Sequence, residues 1–195
     1  MSTAGNIQDA AFAKRIAKLQ EQLGIPQDYG VWHQLHLCEE CGHTISIGED
    51  IFGRDQTMAP AAAYAWLDMK NAATSSGIEL QAVSAYRSVE YQAGIIKKKL
   101  DAGQSMEDIL KVSAAPGYSE HHTGRALDIS TPGCDPLEET FEKTEAFAWL
   151  HASAGDHGFR MSFPRNNRHG LAYEPWHWCW SRSSAPGQSP HPETR

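Results

Sequence analysis

Two short segments carry the residue types that could do chemistry: Ser119-Glu120-His121-His122-Thr123-Gly124-Arg125-Ala126-Leu127-Asp128 and Glu174-Pro175-Trp176-His177-Trp178. His121, Asp128 and His177 offer two imidazoles and a carboxylate as metal ligands, and Glu174 leaves a second carboxylate over to act as a base. Three protein ligands, an open fourth position for water and a proton acceptor beside it are the minimum for a zinc hydrolase. Taken singly, each histidine is more ordinary as a core or surface residue, since the chain has 10 of them. The combination, with Glu174 three residues before His177, points to one catalytic Zn2+ ion.

The local pattern says how these side chains could meet. Gly124 to Ser130 reads as a strand, with Leu127 and Ile129 on one face and Ala126 and Asp128 on the other. His121 then sits on the turn entering that strand, with Gly124 allowing the bend. The last strand contains Trp176 to Trp180, and its period of two sends His177 and Cys179 one way and the tryptophans the other. Pro175 cannot donate to a sheet ladder, so Glu174 is expected just before regular pairing begins, near the ion's open position instead of on the ion. His122, the neighbour of a ligand, is expected to face solvent.

Around these segments the apolar spacing predicts several helices. Phe12, Ile16, Leu19 and Leu23 form a stripe over residues 10–23 that Gly24 and Pro26 end. Residues 27–58 read as irregular. Pro60 fits the first turn of a helix with stripe Ala62, Trp66, Met69 and Ala73, closed by Gly77. Glu79 to Ala85 reads as a strand. Val89, Ala93, Ile96 and Leu100 mark a helix over 88–101, and Ser105 with Asp108 resembles a capping box for a short one through Lys111. A further helix is built on Phe147, Leu150 and Ala154 and stopped by Gly158. No regular βα alternation appears, so the fold class is α+β. The division expected is an N-terminal helix and irregular segment (1–58) packed on a catalytic core (59–181), followed by a Ser- and Pro-rich tail (182–195) expected to be disordered.

Composition narrows the function. The 195 residues fit one domain, and 41% hydrophobic with 21% charged residues is ordinary for a soluble globular protein. A net charge of -7 argues against nucleic acid, which needs a basic footprint. No apolar run is long enough for a transmembrane helix, and the charged N-terminus does not read as a signal peptide. The oligomeric state is not legible.

Ser119 to Asp128, as S-x-H-x-x-G-x-A-x-D, together with Glu174 to His177, as E-x-W-H, resembles the VanY-type D-alanyl-D-alanine carboxypeptidases. Ser84-Ala85-Tyr86-Arg87-Ser88 with Tyr91-Gln92 is similar to that family's S-x-Y-R-S-x-x-Y-Q element, and the likeness runs over residues 60–180. The resemblance implies a small, mainly antiparallel sheet with flanking helices, the Hedgehog/DD-peptidase fold. It implies zinc on His121, Asp128 and His177, Glu174 as catalytic base, and Arg87 on the substrate carbonyl or carboxylate. It also implies Tyr86, Gln92 and Ser119 in the substrate groove. The expected substrate is a peptidoglycan stem peptide or its precursor, losing a terminal D-alanine. LD-carboxypeptidase and endopeptidase activities would use the same zinc residues, and a zinc module without catalysis would have no need of Glu174. The family suggests the cell envelope or periplasm, while action on precursors in the cytoplasm is compatible with the sequence.

A second group, His33, His36, Cys38, Cys41 and His43, crowds into a short stretch. Plain thiols of no special role are the first expectation there, a small structural metal site the second and redox chemistry the last. His33, His151, His157, His169 and His191 are given no role. Cys134 and Cys179 could approach one another, which sequence alone does not decide.

Overall fold

The computed structural model describes residues 3–181, so the tail expectation falls outside the described residues. In chain order the elements are α1 (Thr3–Leu23), α2 (Tyr29–Trp32), β1 (Ile45–Glu49), β2 (Asp55–Met58), α3 (Pro60–Ser75), β3 (Gln81–Ser84), α4 (Val89–Asp101), α5 (Met106–Val112), β4 (Ala126–Ser130), α6 (Glu145–Ser153), β5 (Phe159–Met161) and β6 (His177–Trp180). Strands β3, β4, β6 and β5 form, in that order, an antiparallel sheet. The α+β expectation holds.

Strand β4 is paired on both sides, and all five of its residues are buried. One face, with Leu127 and Ile129, packs into the main core with Trp66, Met69, Leu80, Leu150 and Trp178. The other carries Asp128 to the site. The α3 stripe behaves as its spacing predicts: Ala62, Trp66, Met69 and Ala73 are all buried. A smaller core of Ile25, Tyr29, Ile96, Ile109, Leu110 and Ala115 joins the N-terminal segment to α4 and α5.

The expected irregular stretch 27–58 is corrected by the structure. It contains the helical turn α2 and the β1–β2 hairpin. The hairpin has little apolar alternation because a polar hub holds its turn: buried Asp50 accepts from the Phe52 and Arg54 amides, the Arg54 guanidinium and the Gln56 amide. Ile47 and Met58 fasten it to the main core. Gln56 in turn accepts from the Ala85 amide at 2.8 Å, tying the hairpin to the segment that carries Arg87. Strand β5 was also absent from the expectations, being three residues long, too short for a periodic signal. Helix α1 starts earlier than the apolar stripe indicates, at Thr3.

Candidate metal centre

His121 lies on a single 3-10 turn, Glu120–Thr123, that ends at Gly124 in the left-handed region (φ 65°). A Cβ at Gly124 would come within 2.8 Å of the Ala59 amide, so only glycine fits both the turn and the packing. The turn delivers His121 onto the face of β4 that carries Asp128. Asp128 is in turn paired in register with His177 on β6. Adjacent antiparallel strands place such partners side by side, and this bridges the long sequence gap between the two ligands.

The orientation of each ring follows from its hydrogen bonds. His121 Nδ1 lies 2.6 Å from the Ala85 carbonyl oxygen, which can only accept, so Nδ1 carries the proton. Its Nε2 lone pair is therefore turned inward, 3.3 Å from Asp128 Oδ2, buried and without a hydrogen-bond partner. On the other side, His177 Nε2 donates to Glu120 Oε2 at 2.9 Å, and Nδ1 faces Asp128 Oδ1 at 3.0 Å. One ligand atom from each of His121, Asp128 and His177 lies within 4.8 Å of the other two, and among the described residues this is the only such group. An orphaned buried lone pair beside a buried carboxylate fits a divalent cation, and the N,N,O donor set suits zinc.

The electrostatics agree. Burial alone would lower the His177 imidazolium, but its hydrogen bonds to Asp128 and Glu120, and their charges, overcome that and hold it at about 10. Burial and the Arg87 charge push His121 down to about 4, against the pull of Asp128. Burial would raise Asp128, yet His121 and His177 hold it well below the usual carboxylate range. Two acidic groups around two imidazoles thus demand positive charge at this point, which a proton or a divalent cation supplies.

Glu174 is set apart from this group. It precedes β6, its amide bonds the Phe163 carbonyl at 3.1 Å, and its carboxylate stands 3.8 Å from His177 Nδ1. Burial raises it; His177 counteracts, Asp128 adds, Arg87 counteracts and Glu120 adds, leaving it at about 7. A carboxylate poised there can accept and return a proton at neutral pH.

His121, His177, Glu120 and Glu174 share one cleft of about 410 Å³, mouth included, lined also by Arg87, Gln92 and Ser119. Arg87 places Nη2 3.6 Å from Asp128 Oδ2, while its buried Nε has no partner. Gln92 is buried on α4, donating to the Ala114 carbonyl at 2.8 Å and leaving Oε1 unpaired. Tyr86 lines a neighbouring cleft instead, with Gln56, Tyr91 and Arg87, and Arg87 alone of the site residues borders both. A fixed guanidinium with a spare donor suits a carboxylate or developing oxyanion. Arg87→Lys, which keeps the charge but loses the fork, is therefore expected to stay impaired, about tenfold or more in kcat/KM. Wild-type kinetics in Arg87→Ala would remove it from the site.

Two residues of the first segment differ from the sequence reading. His122 does not face solvent but is fully buried; Nδ1 donates to the Arg87 carbonyl at 2.6 Å and Nε2 accepts from the Gly117 amide at 3.1 Å. Burial lowers its pKa, so it stays neutral and clips the Tyr86-Arg87-Ser88 segment to the metal turn. Glu120 was passed over altogether, although it stands next to His121 and fixes the His177 ring from outside, as carboxylates behind ligating imidazoles do. A carboxylate adjoining the first ligand was the available signal.

The Cys38 cluster does not build a metal site. The Cys38 and Cys41 thiols donate to the His36 and His43 carbonyls, while their backbone amides bond Gly117 and His122 oxygens at 2.7 and 2.8 Å. All four cysteines are free, so Cys134 and Cys179 are not bridged. Burial pushes the Cys38 thiol up to about 11 and Cys179 to about 12, which removes both as nucleophiles.

The antiparallel sheet and the His121–Asp128–His177 set define an α+β protein with a buried metal site. The chain belongs to the VanY family, D-alanyl-D-alanine carboxypeptidase, which it matches over residues 55–184. It is 37% identical over 119 residues to YodJ of Bacillus subtilis (strain 168), covering 60% of this chain and 43% of YodJ. The chain spans less than half the length of the curated relatives it matches. The LdcB LD-carboxypeptidase superposes with a TM-score of 0.65 at 32% identity, over 72% of this chain and 69% of LdcB. A VanY variant in complex with Zn(II) superposes with a TM-score of 0.56 over 76% of this chain and 88% of the other, and at 21% identity that likeness speaks for the fold alone.

Proposed function

We propose that the protein is a zinc-dependent carboxypeptidase that removes the terminal D-alanine from peptidoglycan stem peptides or their precursors. The observation that carries this reading is Glu174, held at about 7 and 3.8 Å from His177 in the same cleft as the orphaned His121 Nε2. A zinc ion on His121, Asp128 and His177 would supply Lewis acidity and a nucleophile at neutral pH. Glu174 takes the proton from the attacking water and returns it to the leaving amine. Arg87 orients the substrate through its terminal carboxylate or steadies the oxyanion. Gln92 and Ser119 stand along the cleft wall, where an unpaired amide oxygen can meet a peptide N–H. We place the reaction on stem peptides of the cell envelope, and cytoplasmic precursors carry the same terminus.

The net charge of -7 does not oppose an anionic substrate, because charges beyond about 10 Å are screened while Arg87 acts at contact. No helix among the described residues is long and apolar enough to cross a membrane. LD-carboxypeptidase activity is a second reading, kept behind the first because the family match is to D-alanyl-D-alanine carboxypeptidases while LdcB is a structural neighbour. Release of amino acids is measured from a stem peptide ending in D-Ala-D-Ala, its C-terminal amide, and a peptide ending in a single D-alanine after an L-residue. The first should be cut to yield one D-alanine and the amide should be cut at least about tenfold more slowly, for want of the carboxylate that Arg87 meets. Equal cleavage of the amide would move an endopeptidase ahead, and preference for the third peptide would establish the LD reading.

A further inference from the structure

The segment between β5 and β6, residues 162–176, has no regular structure, yet it carries Glu174 and two walls of the cleft, Phe163 and Leu171. A base on such a loop is useful only if the loop is held. Internally, the Asn167 side chain accepts from the His169 amide at 3.1 Å and donates to the Leu171 carbonyl at 2.9 Å. Externally, Arg165 pairs with Glu139 and Glu142, but these are exposed contacts of little weight. Further anchors are the Ala172 amide on the Lys111 carbonyl of α5 at 3.0 Å, the Ile129 amide of β4 on the Trp176 carbonyl at 2.9 Å, and the part-buried meeting of His169 with His33.

The His33–His169 contact is reciprocal. His33 Nδ1 donates to the His169 carbonyl at 2.7 Å, and His169 Nδ1 donates to the His33 carbonyl at 2.8 Å. Carbonyls only accept, so both rings must carry their proton on Nδ1. Arg168 Nε lies 3.3 Å from His169 Nε2, consistent with that tautomer. Each ring also packs toward the interior. His33 lies 4.5 Å from the buried Tyr29 ring, and His169 lies 6.2 Å from Phe163, whose ring is 5.0 Å from the ligand His177. His33 comes just after α2, upstream of the matched region 55–184. The segment bearing it is itself pinned: at Gly30 a Cβ would overlap the Tyr118 ring, beside Ser119 of the metal turn.

We infer that His33 and His169 are positioning residues, a paired-imidazole clasp through which the N-terminal segment fixes the loop that presents Glu174. The inference rests on Glu174 being the base. The full-length, zinc-loaded protein is assayed as wild type, His33→Ala, His169→Ala, the double variant, His33→Asn and Glu174→Ala. Each single alanine variant should lower kcat about tenfold, with KM and zinc content unchanged, because a displaced base is felt at the chemical step. The double variant should lose more than either single, since each ring donates to the other residue's backbone carbonyl and its bond survives loss of the other ring. His33→Asn, which keeps a donor at the δ position, should recover most of the loss, and a merely structural role would not show that rescue pattern. If an alanine variant does not fold, His33→Phe keeps a ring without the donor and carries the same test. Wild-type kcat in both singles, or a double variant that keeps wild-type kcat, would overturn the clasp. An active Glu174→Ala would instead sink the base assignment, and an inactive Glu174→Ala with wild-type clasp variants would sink the clasp alone.

Discussion

Glu174→Ala is expected to keep a full zinc equivalent and lose turnover by about 10²-fold or more, the typical contribution of a positioned general base. The reason is geometric: its carboxylate lies in the cleft but outside the 4.8 Å group that His121, Asp128 and His177 make. Metal analysis and steady-state kinetics on the same preparation separate the two roles, and near-normal turnover would end the mechanism. The pH dependence follows. Glu174 acts as the carboxylate, so kcat/KM should rise with pH through its titration, from about 7 downward because a nearby cation favours the charged form. The same burial has a cost in stability. The folded value of about 7 lies above the ordinary 4.5, so the native state holds the proton more tightly. That contribution is full below pH 4.5 and is lost as pH rises through 7. Metal-free Glu174→Gln should therefore lose less stability than wild type between pH 5 and pH 8, as measured by urea unfolding, while lacking activity.

His177→Ala should abolish both zinc retention and activity. It removes one of three ligands, and it also takes from Asp128, buried at 4% exposure, its 3.0 Å partner His177 Nδ1, leaving the looser contacts with His121 at 3.3 Å and Arg87 at 3.6 Å. Losing one member of a buried, hydrogen-bonded charge pair costs about 3 kcal/mol. A clear fall in stability is thus expected even in chelator, where no metal contributes. A variant that kept its zinc equivalent would show that the ligand set is drawn wrongly. One that lost zinc without any loss of metal-free stability would show that Asp128 relaxes into solvent.

Much of the ligand set was legible because its members sit on elements with short-range rules. Asp128 alternates with Leu127 and Ile129, His177 alternates with two tryptophans, and Gly124 marks the turn between His121 and its strand. The stripe on α3 and the cap at Ser105 were legible for the same reason: spacing and capping are local. What escaped were side chains whose role depends on a distant partner. Glu120 reads as an ordinary acidic residue until β6 brings His177 to it. His122 reads as solvent-facing until the Arg87 carbonyl closes over it.

The hairpin over 45–58 escaped because Asp50, a polar hub, replaces the apolar alternation that would have announced it. The two histidines of the clasp, 136 positions apart, carried no signal at all. Residue type and spacing by themselves determined which atoms could bind a metal and which carboxylate is left over as the candidate base, because strand alternation and turn chemistry operate within a few residues. Only the tertiary structure decided the proton positions on His121 and His177, the raised pKa of Glu174 and the way its loop is held. Those depend on burial and on hydrogen-bond partners, and both are set by chain segments that meet only in the folded protein.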